Sequence, residues 1–166
     1  MSAIIEGLSH SWKKNADYAE RLVSDLNSDQ MILQPAPEGK AAANHPAWIL
    51  SHLNVYVPII EAMVQGEAFE DPKGHQFGMN SKPESDDGIY ASKGELLKEF
   101  VEGHERVAKL LESADVSMLE SDISLERWKP VMPKAGIALP YLMLLHENMH
   151  LGQLSAWRRI QGMPSV

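Results

Sequence analysis

The stretch that most constrains this chain is ALPYLMLLHENMHLGQLSAWRRIQG, residues 138–162, which has the pattern of one long helix. Pro140 suits the first turn, where a missing backbone N–H costs nothing, and Gly162 is a natural stop at the C-terminal end. Two histidines, His146 and His150, are spaced i, i+4, which places their imidazoles on the same face of a helix. Two neutral imidazoles in this arrangement can bind a single divalent metal ion.

The face that carries these two histidines is apolar. A period of 3.6 residues predicts that the pair shares the inward half of the helix with Leu139, Leu142, Met143, Met149, Leu154 and Trp157. Because unpaired polar groups are costly to bury, both rings need partners. Either they are core histidines that are hydrogen-bonded to other side chains, or they are metal ligands that need a third ligand from elsewhere in the chain.

Length, charge and cysteine content limit the remaining possibilities. A chain of 166 residues is predicted to form a single domain, residues 1–166. It contains no cysteine, so a metal would have to be bound by His, Asp or Glu. The net charge of -8 argues against a nucleic-acid partner and against an anionic membrane surface. Because neither a signal peptide nor an apolar run of membrane-spanning length is apparent, the expected location is the cytoplasm, without membrane association.

Periodic apolar residues predict three further helices, over residues 2–27, 46–66 and 92–113. In the second of them Pro46 occupies the first helical position, and the third starts with a capping box formed by Ser92 and Glu95. The connections between the helices are long and cover residues 28–43, 67–91 and 114–137. The pattern as a whole therefore predicts an all-α fold, a four-helix bundle with long inter-helix connections.

Two other histidines are predicted to face inward, His52 on the second helix and His104 on the third. His52 is the candidate third ligand, and the alternative is a hydrogen-bonded core histidine. His104 could be a fourth ligand or a partner of a ligand, but a hydrogen bond in the core is the preferred interpretation. Three histidines remain. His10 is interpreted as a surface or boundary residue, His45 as a capping or surface residue, and His75 as an exposed loop residue.

Residues 146–150, HENMH, also match the H-E-x-x-H signature of zinc proteases. Those enzymes draw a third ligand from further along the chain, but residues 151–166 contain no His, Asp or Glu, so the protease interpretation is set aside. In the protease geometry the residue after the first histidine is the general base. Glu147 is therefore a candidate catalytic base, and the alternative is a solvent-exposed carboxylate on the flank of the helix. Gln153 lies on the same face as His146 and could hydrogen-bond a ligand or substrate, and the alternative is a helix–helix contact.

The chain contains three motifs in order: WILSHL at residues 48–53, HENMHLGQ at residues 146–153 and the pair RR at residues 158–159. In this order the chain resembles the DinB-like superfamily of metalloenzymes. The resemblance implies a bundle in which His52, His146 and His150 hold a divalent metal, zinc or nickel most often. It also implies a homodimer. Some relatives are thiol-dependent, namely bacillithiol transferases and mycothiol-dependent maleylpyruvate isomerase.

The predicted function is that of a metal-dependent enzyme, a hydrolase or a thiol S-transferase, whose three-histidine site activates water or a small thiol. Its partners would be a small-molecule substrate, such as a low-molecular-weight thiol, and a second copy of the chain. The alternative is a non-catalytic bundle with a structural metal or none, which acts as a binding or dimerisation module. Structural zinc sites are closed by four protein ligands. A fourth ligand from His104 or a carboxylate would therefore favour the non-catalytic alternative over the enzyme.

Overall fold

The computed structural model of the chain describes residues 2–35, 43–85 and 87–166. Residues 36–42 of the predicted connection 28–43, and residue 86 of the connection 67–91, lie outside the described residues. Within the described ranges the chain is helical, without a strand and with one isolated antiparallel bridge. The all-α class predicted from the sequence is confirmed.

The helices are, in chain order, α1 (Ala3–Val23), α2 (Ser28–Met31), α3 (Pro46–Gln65), α4 (Lys93–Ser113), α5 (Ala135–Pro140) and α6 (Glu147–Ile160). A π-helical segment, Tyr141–His146, connects α5 directly to α6. The sequence predicted four helices. The structure adds the short α2 and divides the last predicted helix into three parts.

Local chemistry sets the ends of α3 and α4 as predicted. Pro46 is the first residue of α3, and Gly66 caps its C-terminal end with a left-handed φ of 72°, a conformation that glycine adopts without steric cost. Ser92 and Glu95 form both hydrogen bonds of the predicted capping box at the start of α4. These three boundaries depend on residues close in sequence, which is why they could be predicted.

The last helix differs from the prediction at its start. It begins at Ala135, so Pro140 is its sixth residue and does not lie in the first turn. The π-helical segment follows this proline directly. Proline has no N–H to donate to the helical ladder, and a π segment has i→i+5 hydrogen bonds instead of the regular i→i+4 pattern.

The π-helical segment changes which face of α6 is buried. A constant period of 3.6 residues places Met149 inward, but Met149 is 50% exposed. Glu147 and Leu151 are buried instead. Because a π turn contains more residues than an α turn, the residues beyond it are rotated relative to those of an uninterrupted α-helix.

The core consists of two apolar clusters with polar side chains between them. One cluster packs the first half of α1 against the second halves of α3 and α4 and against α5. The other packs the second half of α1 against the first halves of α3 and α4 and against α6. Buried polar side chains lie where the two clusters meet: Asn15, His52, His104, Glu147 and His150. This polar layer contains the candidate site.

Helix α3 is the most apolar of the long helices. It is the one helix of the described residues that is long and apolar enough, by length and composition, to cross a membrane, a property that the sequence analysis did not anticipate. In the structure 78% of this apolar window is buried inside the protein. Such burial is typical of a core helix in a soluble protein.

Candidate metal centre

Three histidines meet between α3 and the last helix. One ring nitrogen from each of His52, His146 and His150 lies within 4.8 Å of the other two. His52 and His150 are buried and His146 is half-buried. Within the described ranges, no other His, Asp or Glu belongs to this group. The fold thus brings together the three residues that the sequence analysis singled out as candidate ligands.

The spacing of the three rings fits a single metal ion. Two nitrogens that each lie roughly 2.0–2.1 Å from one ion are about 2.8–3.4 Å apart for bond angles between octahedral and tetrahedral. His52 Nε2 and His146 Nε2 are 3.1 Å apart, which lies within that range. The ring centroids of the three pairs are 4.6, 4.7 and 5.1 Å apart, so each ring is close to the other two.

His52 is oriented by the connection that follows α3. Its Nδ1 lies 2.7 Å from the carbonyl oxygen of Phe77, and because a carbonyl oxygen only accepts, Nδ1 carries the proton. The Nε2 that faces His146 is therefore unprotonated and able to bind a metal. Trp48 stacks on the ring at a centroid distance of 4.7 Å. Such outer contacts fix the tautomer and the direction of metal-binding histidines.

His150 is oriented by Gln153, one turn further along α6. His150 Nδ1 lies 3.2 Å from Gln153 Oε1, and the same oxygen accepts a hydrogen bond from Asn44 Nδ2 at 3.1 Å. An amide oxygen only accepts, so Nδ1 carries the proton in this ring also and Nε2 is free. Gln153 therefore accepts a hydrogen bond from a candidate ligand, which is one of the two roles predicted for it.

Burial keeps the three imidazoles neutral. Burial lowers the pKa of His146 to about 3, and the nearby His150 and His52 make smaller contributions in the same direction. Burial also lowers the pKa of His150 to about 4, with a smaller contribution from His52. The pKa of His52 is also lowered, chiefly by burial. Because the neutral ring is the form that binds metals, the cluster is ready to do so near pH 7.

His104 and Glu147 form a separate buried pair. His104 Nε2 lies 3.0 and 3.2 Å from the two carboxylate oxygens of Glu147, and His104 Nδ1 lies 2.7 Å from the carbonyl oxygen of Phe100. Both ring nitrogens of His104 are thus engaged by other groups, and neither is available as a fourth ligand. The preferred interpretation of His104 as a hydrogen-bonded core histidine is confirmed.

The burial of Glu147 corrects one interpretation of the sequence. Glu147 is 3% exposed, so the alternative of a solvent-exposed carboxylate is wrong. The π-helical segment that precedes it turns this position inward. Burial raises the pKa of Glu147, and this effect is opposed by His104 and Asn15. Its role as a general base stays a prediction, since its carboxylate contacts His104 and is not part of the three-histidine group.

The other histidines lie outside the site. His45 caps α3 by accepting the Trp48 N–H at 3.1 Å, which confirms its capping role, but it is buried, so the surface interpretation is wrong. His10 and His75 are exposed, as expected.

The sequence analysis missed the contacts of two residues, Tyr56 beside the three histidines and the buried Arg158. The ring of Tyr56 lies beside His146, at a centroid distance of 4.5 Å, and beside His52 at 5.1 Å. Its i+4 spacing from His52 was the available signal. Arg158, which the sequence analysis placed only in the RR motif, is 2% exposed, and its guanidinium donates to the Asp25 carboxylate. Burial of an arginine has no local sequence signature.

The comparison with protein families matches residues 11–154 to the DinB superfamily. This span covers most of α1, all of α3 and α4, and the last helix as far as Leu154, and it includes the three clustered histidines. The comparison with curated proteins found no match for the chain.

Proposed function

The chain belongs to the DinB superfamily, and on that basis we propose that it is a metal-dependent enzyme. His52, His146 and His150 hold one divalent ion, zinc or nickel, and the reaction is a hydrolysis or the transfer of a small thiol. The observation that carries the proposal is the group of three neutral histidines that no fourth His, Asp or Glu of the described residues joins. Catalytic zinc sites keep one position open in this way, whereas structural sites are closed by four protein ligands.

The chain's own residues prepare the site for its chemistry. When bound, a divalent ion acts as a Lewis acid that lowers the pKa of water or of a thiol. The Phe77 carbonyl and the Gln153 amide hold His52 and His150 in the tautomer that leaves Nε2 free. His146 is the most exposed of the three, and in the proposal the substrate approaches from its side.

Glu147 is the proposed general base. It directly follows His146 in the chain, and burial raises its pKa, which makes the carboxylate a stronger base than an exposed one. Its carboxylate is held by His104, so in this proposal His104 is a positioning residue.

A homodimer is the second part of the proposal. The last helix carries a row of apolar side chains that are 43–63% exposed, namely Ile137, Tyr141, Leu145, Met149 and Ile160. Four of them are spaced four residues apart and therefore lie along one flank of the helix. An exposed apolar row of this kind is typical of a surface that pairs with another protein, and a second copy of the chain would use it symmetrically.

The proposed partners do not include nucleic acid, and the proposed location is the cytoplasm. The net charge of -8 supports the first statement, since binding to DNA or RNA depends on contacts between basic side chains and phosphates. A gel shift in low salt, where such contacts are strongest, tests it: retarded DNA at micromolar protein would contradict the proposal.

Cobalt substitution tests the open site. The protein is purified without a His tag, its native metal is measured, and the metal is then replaced by cobalt(II). We expect azide and a small thiol each to change the visible spectrum, and the thiol to release a proton because it binds as the anion. A cobalt spectrum that neither ligand changes would show a closed, structural site and overturn the proposed enzyme function.

A further inference from the structure

Tyr56 is a side chain of α3 that packs directly against the candidate metal centre. The centroid of its ring lies 4.5 Å from that of His146 and 5.1 Å from that of His52. The spacing of four residues between His52 and Tyr56 places both side chains on the same face of α3. Tyr56 is only 6% exposed. Packing therefore fixes the position of this ring relative to two of the candidate ligands.

The hydroxyl group of Tyr56 has no hydrogen-bond partner within the described part of the chain. Four polar side-chain atoms of the described residues are both unpaired and fully enclosed, and Tyr56 Oη is not one of them. The oxygen therefore keeps some accessible surface, although the side chain that carries it is buried. Buried tyrosines usually pair their hydroxyl group. An unpaired hydroxyl on a fixed ring is thus a donor that a bound ligand can reach.

The exposed side of the centre is bordered by His146 and Tyr141. His146 is the half-buried member of the three histidines, and Tyr141 is 43% exposed. Their rings lie at an angle of 24° with a centroid distance of 6.5 Å, because the π turn between them brings residues five apart to one side of the helix. Tyr56 packs against the same histidine, so its accessible oxygen borders this exposed side. This is the side from which the proposed substrate approaches.

We propose that the Tyr56 hydroxyl donates a hydrogen bond to an anionic ligand bound at the open position of the metal centre, such as azide, a carboxylate or a thiolate. The inference rests on the proposed function, because it needs a metal ion with an open position. Burial raises the pKa of Tyr56, and Arg127, Tyr141 and Asp71 have smaller effects, so the phenol is protonated near pH 7 and can donate. Hydrogen bonds to ionised acceptors are roughly twice as strong as those between neutral groups. Tyr56 thereby favours anions over neutral ligands.

The test is azide binding to the cobalt(II) forms of the parent protein and two variants, measured by the visible spectrum. Tyr56→Phe keeps the ring that packs against the histidines and removes the hydroxyl alone. The azide dissociation constant should rise roughly tenfold in this variant, because a charge-assisted hydrogen bond is lost. Tyr141→Phe makes the same change at the other tyrosine beside His146 and should leave the affinity unchanged. Equal azide affinity in the parent protein and Tyr56→Phe, or a loss in Tyr141→Phe alone, would overturn the proposal.

A neutral ligand and the stability of Tyr56→Phe separate a ligand contact from a structural role. Imidazole binds a metal through one nitrogen and has no second lone pair that could accept from Tyr56, so its affinity for the cobalt protein should not fall in Tyr56→Phe. The metal content and the melting temperature should also be kept, because the hydroxyl has no partner to lose in the folded protein. Parallel losses of azide affinity, imidazole affinity and metal would show that the hydroxyl shapes the histidine cluster, and would contradict the proposal.

The same titrations distinguish failure of this inference from failure of the proposed function. If azide changes the cobalt spectrum of the parent protein and binds Tyr56→Phe equally well, the site is open and only the contact with Tyr56 is wrong. If azide leaves the parent spectrum unchanged, the site is closed and both proposals fail. If the untagged protein contains no metal and takes up no cobalt, both proposals fail as well.

Discussion

His104 Nε2 lies 3.0 Å from Glu147 Oε1, and both side chains are almost fully buried, with 1% and 4% of their surface exposed. The pair links α4 to the start of α6 in the polar layer between the two apolar clusters. Trp12 of α1 stacks on the His104 ring at a centroid distance of 3.8 Å. A buried pair of this kind stabilises the fold only while both partners are present, because the remaining partner would otherwise be left without its hydrogen bond.

Substitution of either partner should therefore lower stability without emptying the metal site. We expect Glu147→Gln and His104→Gln each to reduce the free energy of unfolding by about 1–3 kcal/mol. The double variant should lose less than the sum of the two, because the residues interact directly. Denaturant unfolding gives the three free energies and elemental analysis gives the metal content. Loss of metal in His104→Gln would contradict the prediction and identify His104 as a ligand.

The same two variants test Glu147 as a base. Both disrupt the buried pair, but only Glu147→Gln removes the carboxylate. Once a reaction is assigned to the parent protein, a general base at Glu147 predicts that its rate falls roughly 10²–10⁴-fold in Glu147→Gln, with a much smaller loss in His104→Gln. Similar small losses in both variants would show that Glu147 has only a structural role.

Metal binding should depend on the three clustered histidines alone. We expect about one divalent ion per chain in the parent protein, and its loss in His52→Ala, His146→Ala and His150→Ala, because two remaining imidazoles bind a divalent metal too weakly to retain it. His10→Ala and His75→Ala change exposed histidines and serve as controls that keep the metal. The measurement is elemental analysis of untagged protein. Full occupancy in His52→Ala would exclude the three-histidine site.

The sequence predicted the parts of the fold that are fixed by neighbouring residues. Pro46 and Gly66 bound α3, and the capping box of Ser92 begins α4, as expected. The last helix was predicted less well, because the π-helical segment after Pro140 interrupts the period of 3.6 residues on which the analysis depended. The exposure of Met149 and the burial of Glu147 both follow from that interruption.

The candidate ligands could be found from the sequence, but their surroundings could not. The i, i+4 spacing and the resemblance to a known family pointed to His146 and His150. The groups that orient the rings come from distant parts of the chain. The Phe77 carbonyl lies 25 residues after His52, and a backbone carbonyl has no sequence signature. Asn44, which contacts Gln153, is separated from it by 109 residues.

The exposed apolar row on the last helix should mediate dimer formation. Leu145 is 63% exposed, so Leu145→Glu should leave the fold intact and place a charge in the interface. We expect the parent protein to have the mass of a dimer by light scattering, and Leu145→Glu to have the mass of a monomer. Val131→Glu introduces the same charge at a position that is 71% exposed and outside the row, and it should remain dimeric. A monomeric parent protein would refute the prediction.

The ion pair between Asp71 and Arg127 should make stability depend on pH in the acid range. It joins the connection after α3 to the connection after α4 through two hydrogen bonds, Arg127 Nε to Asp71 Oδ2 at 2.7 Å and Arg127 Nη2 to Asp71 Oδ1 at 2.5 Å. The Arg127 guanidinium lowers the pKa of Asp71 to about 2, whereas an unfolded chain has an aspartate pKa of about 3.9. The unfolded state therefore binds more protons between these two values. The stabilisation is present above about pH 4 and is lost as the pH falls through 2.

The size of this effect is small, because both side chains are about one-third exposed and solvent screens such pairs to below about 1 kcal/mol. The side chain of the Asp71→Asn variant cannot titrate, so this variant should lack the pH-dependent stabilisation by the ion pair. The difference in unfolding free energy between parent and variant should therefore shrink as the pH falls from 4 to 2. Asp17→Asn, at an exposed aspartate that pairs with Lys14 within α1, is the control and should show a smaller pH dependence. Urea unfolding at a series of pH values measures both. A parent–variant difference that stays constant over this range would contradict a stabilising role for the pair.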